Sequence, residues 1–143
     1  MQAKDIMTSN VECISPETGV IDAAKRMKAL DVGFLAVCEG DRISGAITDR
    51  DIVLRVVAEG KNLTQCKARD IMTSEVHWCF DDQDVDEVAR FMSDKEVRRV
   101  LLLNRDKRLV GVLSLGDVAK ARGEEKTAGK TMRDIAEAPP SAA

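Results

Sequence analysis

Apolar residues recur at helical spacing in two places, at Val20, Ala23, Ala24, Met27 and Leu30 and again at Val85, Val88, Ala89 and Met92. Stripes of this kind set one face of a helix on a core. Asp84 and Glu87 stand ahead of the second stripe as the two ends of a capping box. A short β-branched stretch precedes each helix, "NVECIS" and then "EVHWCF", and each reads as a strand. Two apolar runs follow each helix and flank a polar turn: "GFLAVC" and "ISGAIT" around "EGDR", and "VRRVLLL" and "LVGVLS" around "NRDKR". Each set predicts a hairpin. A second helix is expected from Asp49 to about Glu59, closed by Gly60, and from Leu115 to about Arg122, closed by Gly123. The pattern predicts an α/β (α+β) protein of two β-α-β-β-α units, in which each strand-helix-strand portion is a right-handed crossover.

The pattern repeats because the sequence does. "KDIMTSNV" at Lys4 returns as "RDIMTSEV" at Arg69, an offset of 65 positions that also superposes Ala3 on Ala68, Val20 on Val85, Met27 on Met92 and Val32 on Val97. The offset grows by one where "CEGDRISG" meets "LNRDKRLVG", a length change that belongs in a turn. Gly45 then matches Gly111, and Asp51 matches Asp117. The expected division is residues 1–66, residues 67–123 and a polar tail, 124–143, in which Arg133, Asp134 and Ile135 echo the lead-in. A unit of about 60 residues buries too little to be comfortably stable alone, so the copies are expected to pack on each other.

Two tandem units, each with a "DIMT" lead-in and a "G-h-h-T/S-x-x-D" signature, resemble a pair of cystathionine-β-synthase (CBS) domains over nearly the whole chain. The signature reads Gly45-Ala46-Ile47-Thr48-Asp49-Arg50-Asp51 and Gly111-Val112-Leu113-Ser114-Leu115-Gly116-Asp117. The resemblance implies a small stand-alone CBS-pair protein with pseudo-twofold symmetry and two clefts between the copies, paired again into a homodimer. It also implies a regulatory, energy-sensing role: binding of an adenine nucleotide, AMP or ATP, or an adenosyl ligand such as S-adenosylmethionine, and signalling to a protein partner. Two departures from the family pattern are visible. Leu35-Ala36-Val37 and Val100-Leu101-Leu102 stand where the family often has Leu-Pro-Val, and Asp49 sets a carboxylate beside the expected phosphate position of the first copy.

Chemistry supports such a ligand. A carboxylate accepts from both hydroxyls of a ribose, a task that suits Asp51 and Asp117. The start of a helix offers free backbone N–H groups to a phosphate, with Thr48 and Ser114 adding hydroxyls. Gly116 would let a phosphate approach closely, and Arg50, Arg98 and Arg99 are candidates for countercharge. Ile47, Leu113, Val11 and Val76 are candidates to hold the adenine ring. Thr-x-x-Asp and Ser-x-x-Asp are equally the pattern of a capping box, so both readings stay open.

Composition narrows the field. A net charge of −3 with interspersed signs and 3% aromatics argue against nucleic acid. No segment approaches the ~20 apolar residues of a membrane helix, so a cytoplasmic protein is expected. His77, the single histidine, has no carboxylate or thiol at ligand spacing, so neither a metal site nor a catalytic cofactor is expected. Without a catalytic set around it, a non-enzyme is expected. The four cysteines form no C-x-x-C pair and read as buried free thiols, but Cys13 and Cys38 end apolar runs on neighbouring strands, where a bridge is geometrically conceivable. Two alternatives to the sensor follow: a ligand-free dimerisation module, and a redox-responsive stabiliser acting through Cys13 and Cys38.

Overall fold

In a computed structural model that describes residues 1–9, 11–121 and 133–136, the duplication is visible as two separate three-stranded sheets. The first copy supplies β1 (Cys13–Ile14), α1 (Val20–Leu30), β2 (Phe34–Glu39), β3 (Arg42–Thr48) and α2 (Asp49–Ile52), which runs on into a π-helical turn, Val53–Val57. After the short helix α3 (Ala68–Ile71), the second copy supplies β4 (Trp78–Phe80), α4 (Val85–Lys95), β5 (Arg99–Leu103), β6 (Leu109–Ser114) and α5 (Leu115–Lys120). The mixed α+β order is the expected one.

Register repeats with the sequence. Cys13 pairs with Ala36 in parallel as Trp78 pairs with Leu101, and Val37 pairs with Gly45 in antiparallel as Leu102 pairs with Gly111. A bulge follows at the same place in each hairpin, between Val37 and Cys38 and between Leu102 and Leu103. The added residue falls in the turn, as expected. Gly40, at φ 63°, begins the first turn, where a two-residue hairpin needs positive φ. In the longer second turn Asn104 Oδ1 accepts from the N–H groups of Asp106 and Arg108, both at 3.0 Å.

Helices α1 and α4 bury the anticipated faces: Val20, Ala23 and Met27 in one, and Val85, Val88, Ala89 and Met92 in the other. Leu30 departs from that expectation and lies exposed in the last turn. Asp84 caps α4 by accepting from Asp86 N–H at 3.1 Å, while Glu87 accepts from the Gln83 amide instead of reaching back to the cap. Both helices end with an acidic residue in the left-handed region, Asp31 (φ 54°) and Glu96 (φ 59°). In each, the next residue donates back five positions, from Val32 to Met27 and from Val97 to Met92, which satisfies otherwise orphaned carbonyls. The π-helical turn closes in the same way at Gly60, φ 67°.

Two compact units result, and they do not follow the repeat. One is Val11–Val76; the other joins Met1–Asn10 to the chain from His77 onward. Each lead-in therefore docks on the sheet of the other copy. Thr73 exchanges two backbone hydrogen bonds with Ala46 on β3, both 2.9 Å, and Thr8 exchanges two with Val112 on β6, both 3.0 Å. Ala68 N–H donates to Thr18 and Ala3 N–H to Gln83, each at 2.8 Å, and both alanines are fully buried. Each unit has its own core, around Ile14, Leu35, Val37 and Ile47 in Val11–Val76, and around Val88, Met92, Leu102 and Leu113 in the other. Burying each such side chain contributes ~1.5 to 3 kcal/mol. Of the tail, residues 133–136 form one helical turn; its remainder, with Arg122 and Gly123 of the anticipated end of α5, lies outside the described residues.

Candidate functional site

The last residue of each hairpin is also the cap of the helix after it. Thr48, extended at φ −116° and ψ 163°, passes directly into α2, and Ser114, at φ −104° and ψ 162°, into α5. Each hydroxyl residue and the aspartate three positions later hold one another. Thr48 N–H donates to Asp51 Oδ2 at 2.9 Å while Asp51 N–H donates to Thr48 Oγ1 at 3.1 Å. Ser114 N–H donates to Asp117 Oδ2 at 2.9 Å, and Asp117 N–H to Ser114 Oγ at 3.1 Å. The capping box anticipated from spacing is thus formed in both units. It engages Oδ2 of a carboxylate that offers about four lone-pair directions, so acceptor capacity remains at each aspartate.

The surroundings of the two helix starts differ. In Val11–Val76, Asp49 lies against Gly33, where an added Cβ would come within 2.7 Å of Asp49 Oδ2, and its Oδ1 accepts from Arg50 N–H at 2.8 Å. Arg50 itself is exposed. Arg55 approaches Asp51 Oδ1 to 3.7 Å and donates to the Ile71 carbonyl at 2.9 Å, joining the box to the end of α3. In the other unit Leu115 and Gly116 replace Asp49 and Arg50, and Gly116 is exposed; among the described residues a would-be Cβ there has Ser114 Oγ near it, at 3.6 Å. Arg99 is the strand partner of Ser114, whereas Phe34 is the partner of Thr48. Each predicted pair, Thr48 with Asp51 and Ser114 with Asp117, is brought together; Arg50 stands beside the first and Arg99 and Gly116 beside the second.

Two expectations need correction. Ile47 and Leu113 are fully buried, each inside the core of its own unit, so neither can hold a ring without opening that core. Their strand neighbours Thr48 and Ser114 take the opposite face, as period-two alternation requires. Among the cysteines, Cys38, Cys66 and Cys79 are buried but Cys13 is exposed.

Gly45 and Gly111, part of the signature without a stated role, turn out to be clearance for the lead-ins. A Cβ on Gly45 would sit 2.6 Å from the Thr73 carbonyl oxygen, and one on Gly111 would run into Met7 Sδ. Sequence held a signal for this, since "MT" and the signature glycine both occur twice. Arg55 has no counterpart in the repeat, where Ala121 stands, so nothing in the internal comparison singled it out.

An open groove of about 660 Å³ lies elsewhere, along β1 and α1, lined among others by Cys13, Ser15, Thr18, Asp22, Lys25 and Arg26. Among the described residues, no group of three His, Cys, Asp or Glu is placed to hold a metal, and no helix is long and apolar enough to cross a membrane. His77 makes an edge contact with Phe91, ring centroids 6.1 Å apart.

Known proteins resemble this chain in sequence and in fold. The chain is 35% identical over 136 residues to an uncharacterized protein of Bacillus subtilis, YlbB, covering 94% of this chain and 90% of that one. It is 31% identical over 119 residues to Hypoxic response protein 1 of Mycobacterium tuberculosis, covering 82% of each. Its fold matches the CBS domain protein PAE2072 of Pyrobaculum aerophilum, solved in complex with AMP, with a TM-score of 0.78 at 22% identity over 91% of this chain and 99% of that one. The CBS domain family model matches residues 3–58 and again 68–124. The two matched stretches are the two halves of the duplication, so the chain belongs to the CBS domain family and carries a tandem pair of its domains.

Proposed function

We propose that this CBS pair is a regulatory module that senses an adenine nucleotide, AMP or ATP or a related adenosyl ligand, through its hydroxyl–aspartate pairs and passes the bound state to a partner protein. CBS pairs are in general ligand-sensing regulators, and a protein of this fold has been solved with AMP. One observation carries the reading. A hydroxyl and a carboxylate stand together at the same place in both units, at Thr48 with Asp51 and at Ser114 with Asp117, each aspartate keeping acceptor capacity beyond its cap. Ribose hydroxyls donating to that carboxylate form charge-assisted hydrogen bonds of about 1.5 to 3 kcal/mol. Arg99 beside Ser114 supplies countercharge for a phosphate. Such a module acts because its ligand binds one conformation of the protein better than another, not by catalysis.

Calorimetry with AMP, ATP, NAD and S-adenosylmethionine tests this directly, and silence from all four defeats it. Asp117→Asn and Asp51→Asn separate ligand binding from capping, because asparagine keeps an oxygen for the cap N–H and loses the charge. Affinity should fall roughly tenfold at the occupied site with little change in melting temperature.

A dimerisation role has support of its own. Val53, Leu54 and Val57 are 54%, 45% and 58% exposed along the π-helical turn, a contiguous apolar face of the kind that a second copy covers. Val53→Asp with Val57→Asp should convert a homodimer to a monomer in sedimentation; an unchanged mass would exclude this face.

A further inference from the structure

We propose that Cys13 and Cys38 form a redox modification site, at which a low-molecular-weight disulfide oxidises the two thiols to an intramolecular bond that staples β1 to β2. The inference is independent of the nucleotide reading. Cys13 Sγ and Cys38 Sγ lie 3.1 Å apart, with the Cys38 thiol donating to Cys13. A disulfide needs ~2.05 Å, a closure of about one ångström that two side chains on adjacent strands can supply. Topology explains the approach: Cys13 pairs in parallel with Ala36, and Cys38, two residues further on, emerges on the same face where the bulge shifts the strand.

The repeat provides an internal comparison. At the two equivalent positions the second copy has Trp78 and Leu103, so the sheet corner packs without thiols. Two cysteines there are a property of one unit, not of the fold. Access differs between them in the way an exchange reaction requires. Cys13 is exposed and lines the open groove along α1, whereas Cys38 is only 6% exposed. Burial, and then the hydrogen bond to Cys13, push the Cys38 thiol up to about 12, so the buried partner stays protonated until the outer sulfur has reacted.

The chemistry balances in two exchanges. Cys13, as thiolate, attacks one sulfur of the small disulfide, and one small thiolate leaves with the electron pair and takes up a proton. Cys38 then loses its proton to water and attacks Cys13 Sγ of the mixed disulfide, expelling the second small thiolate. Two protein thiols lose two electrons and the small disulfide becomes two thiols. The product closes a loop around α1 and ties down β1, a strand of only two residues.

The test uses the whole chain, reduced and then incubated with oxidised glutathione. Free thiols are alkylated under denaturing conditions and the peptides mapped by mass. A peptide linking Cys13 to Cys38 is expected, with Cys66 and Cys79 alkylated, and a melting temperature raised by about 5 to 10 °C that dithiothreitol reverses. Cys13→Ser changes an exposed residue, so the variant should fold and show neither link nor rise. The proposal is overturned if Cys13 and Cys38 are both alkylated after oxidation, if only links between chains appear, or if glutathione remains on Cys13 unresolved by Cys38.

Discussion

At the scale of single residues, Gly45 and Gly111 show how the same letter carries different weight in two equivalent places. Both remove a Cβ so that a lead-in can pair with the strand, but what stands opposite differs. A Cβ on Gly45 would meet, at 2.6 Å, the Thr73 carbonyl oxygen, an atom held by its bond from Ala46 N–H. A Cβ on Gly111 would meet chiefly the end of the Met7 side chain, with the Thr8 oxygen further from it, at 3.0 Å. Methionine has three rotatable bonds and can withdraw, whereas a paired backbone oxygen moves only if the pairing is given up. Gly45→Ala should therefore destabilise by about 2 to 3 kcal/mol and Gly111→Ala by about 1, the two ends of the range for overpacking. Denaturant unfolding of the two variants measures the difference, and equal losses would mean that Met7 is as immobile as the backbone.

At the scale of elements, the exchanged lead-ins make a prediction that a simple side-by-side duplication would reverse. Thr73 belongs by sequence to the second copy yet hydrogen-bonds to β3 of the first, and its N–H donates to Ala46. Met72 before it is extended, at ψ 153°, the conformation a residue ahead of proline adopts. Thr73→Pro should accelerate amide exchange at Ala46 and its neighbours on β3 by tenfold or more, the loss of about one hydrogen bond, while Val112 on β6 keeps its protection. Thr8→Pro should do the opposite. The lead-in is also tied electrostatically, since Glu17 accepts from Lys67 at 2.7 Å and from Arg69 at 2.5 Å. The Lys67 hydrogen bond, with the Arg69 charge adding to it, holds the Glu17 carboxyl below its ordinary range. A carboxyl so lowered contributes stability that is complete above its ordinary pKa and lost as pH falls through the lowered folded value. Glu17→Gln should flatten the acid limb of a melting curve below about pH 4.5, slightly, and less so in high salt. These docking contacts explain what was legible in the sequence and what was not. Element order, the stripes at Val85 to Met92 and the extra residue at Asn104–Arg108 are local patterns, readable because periodicity and turn chemistry act within a few residues. Which sheet each "DIMT" joins depends on pairing between residues distant in the chain, Thr8 with Val112 and Thr73 with Ala46, and two copies of one lead-in are by composition equally able to dock on either. The hydroxyl–aspartate pairs were legible as spacing, but Ile47 and Leu113 were misplaced by one step of strand alternation, which only a known register decides.

At the scale of the whole molecule, duplication invites the expectation of two equal ligand sites, and the charges around the helix starts argue against it. The start at Thr48 has Asp49 within its first turn, already accepting from Arg50 N–H, and Arg55 nearby is engaged with Asp51 Oδ1 and the Ile71 carbonyl. The start at Ser114 has Leu115 and Gly116 instead, with Arg99 across the strand pair. A unit negative charge about 6 Å from another costs ~0.7 to 3 kcal/mol between the dielectric of water and that of a protein surface, and a phosphate carries more than one. On the proposed function, a nucleotide should fill the Ser114–Asp117 site first and more tightly by tenfold or more, giving one strong site per chain for AMP at low concentration. Adenosine, which keeps the ribose and lacks the phosphate, should distinguish the sites far less. Asp49→Asn then becomes the decisive variant, because it removes the charge, keeps an acceptor for Arg50 N–H and leaves Asp51 in its box. Titration calorimetry should show the AMP stoichiometry rising from one toward two per chain in Asp49→Asn, with the adenosine isotherm little changed and the effect shrinking at high salt, since exposed charges are screened. A variant that binds AMP as the parent does would mean that the asymmetry is set by something other than this carboxylate, and that the two copies, alike in fold, were separated by shape and not by charge.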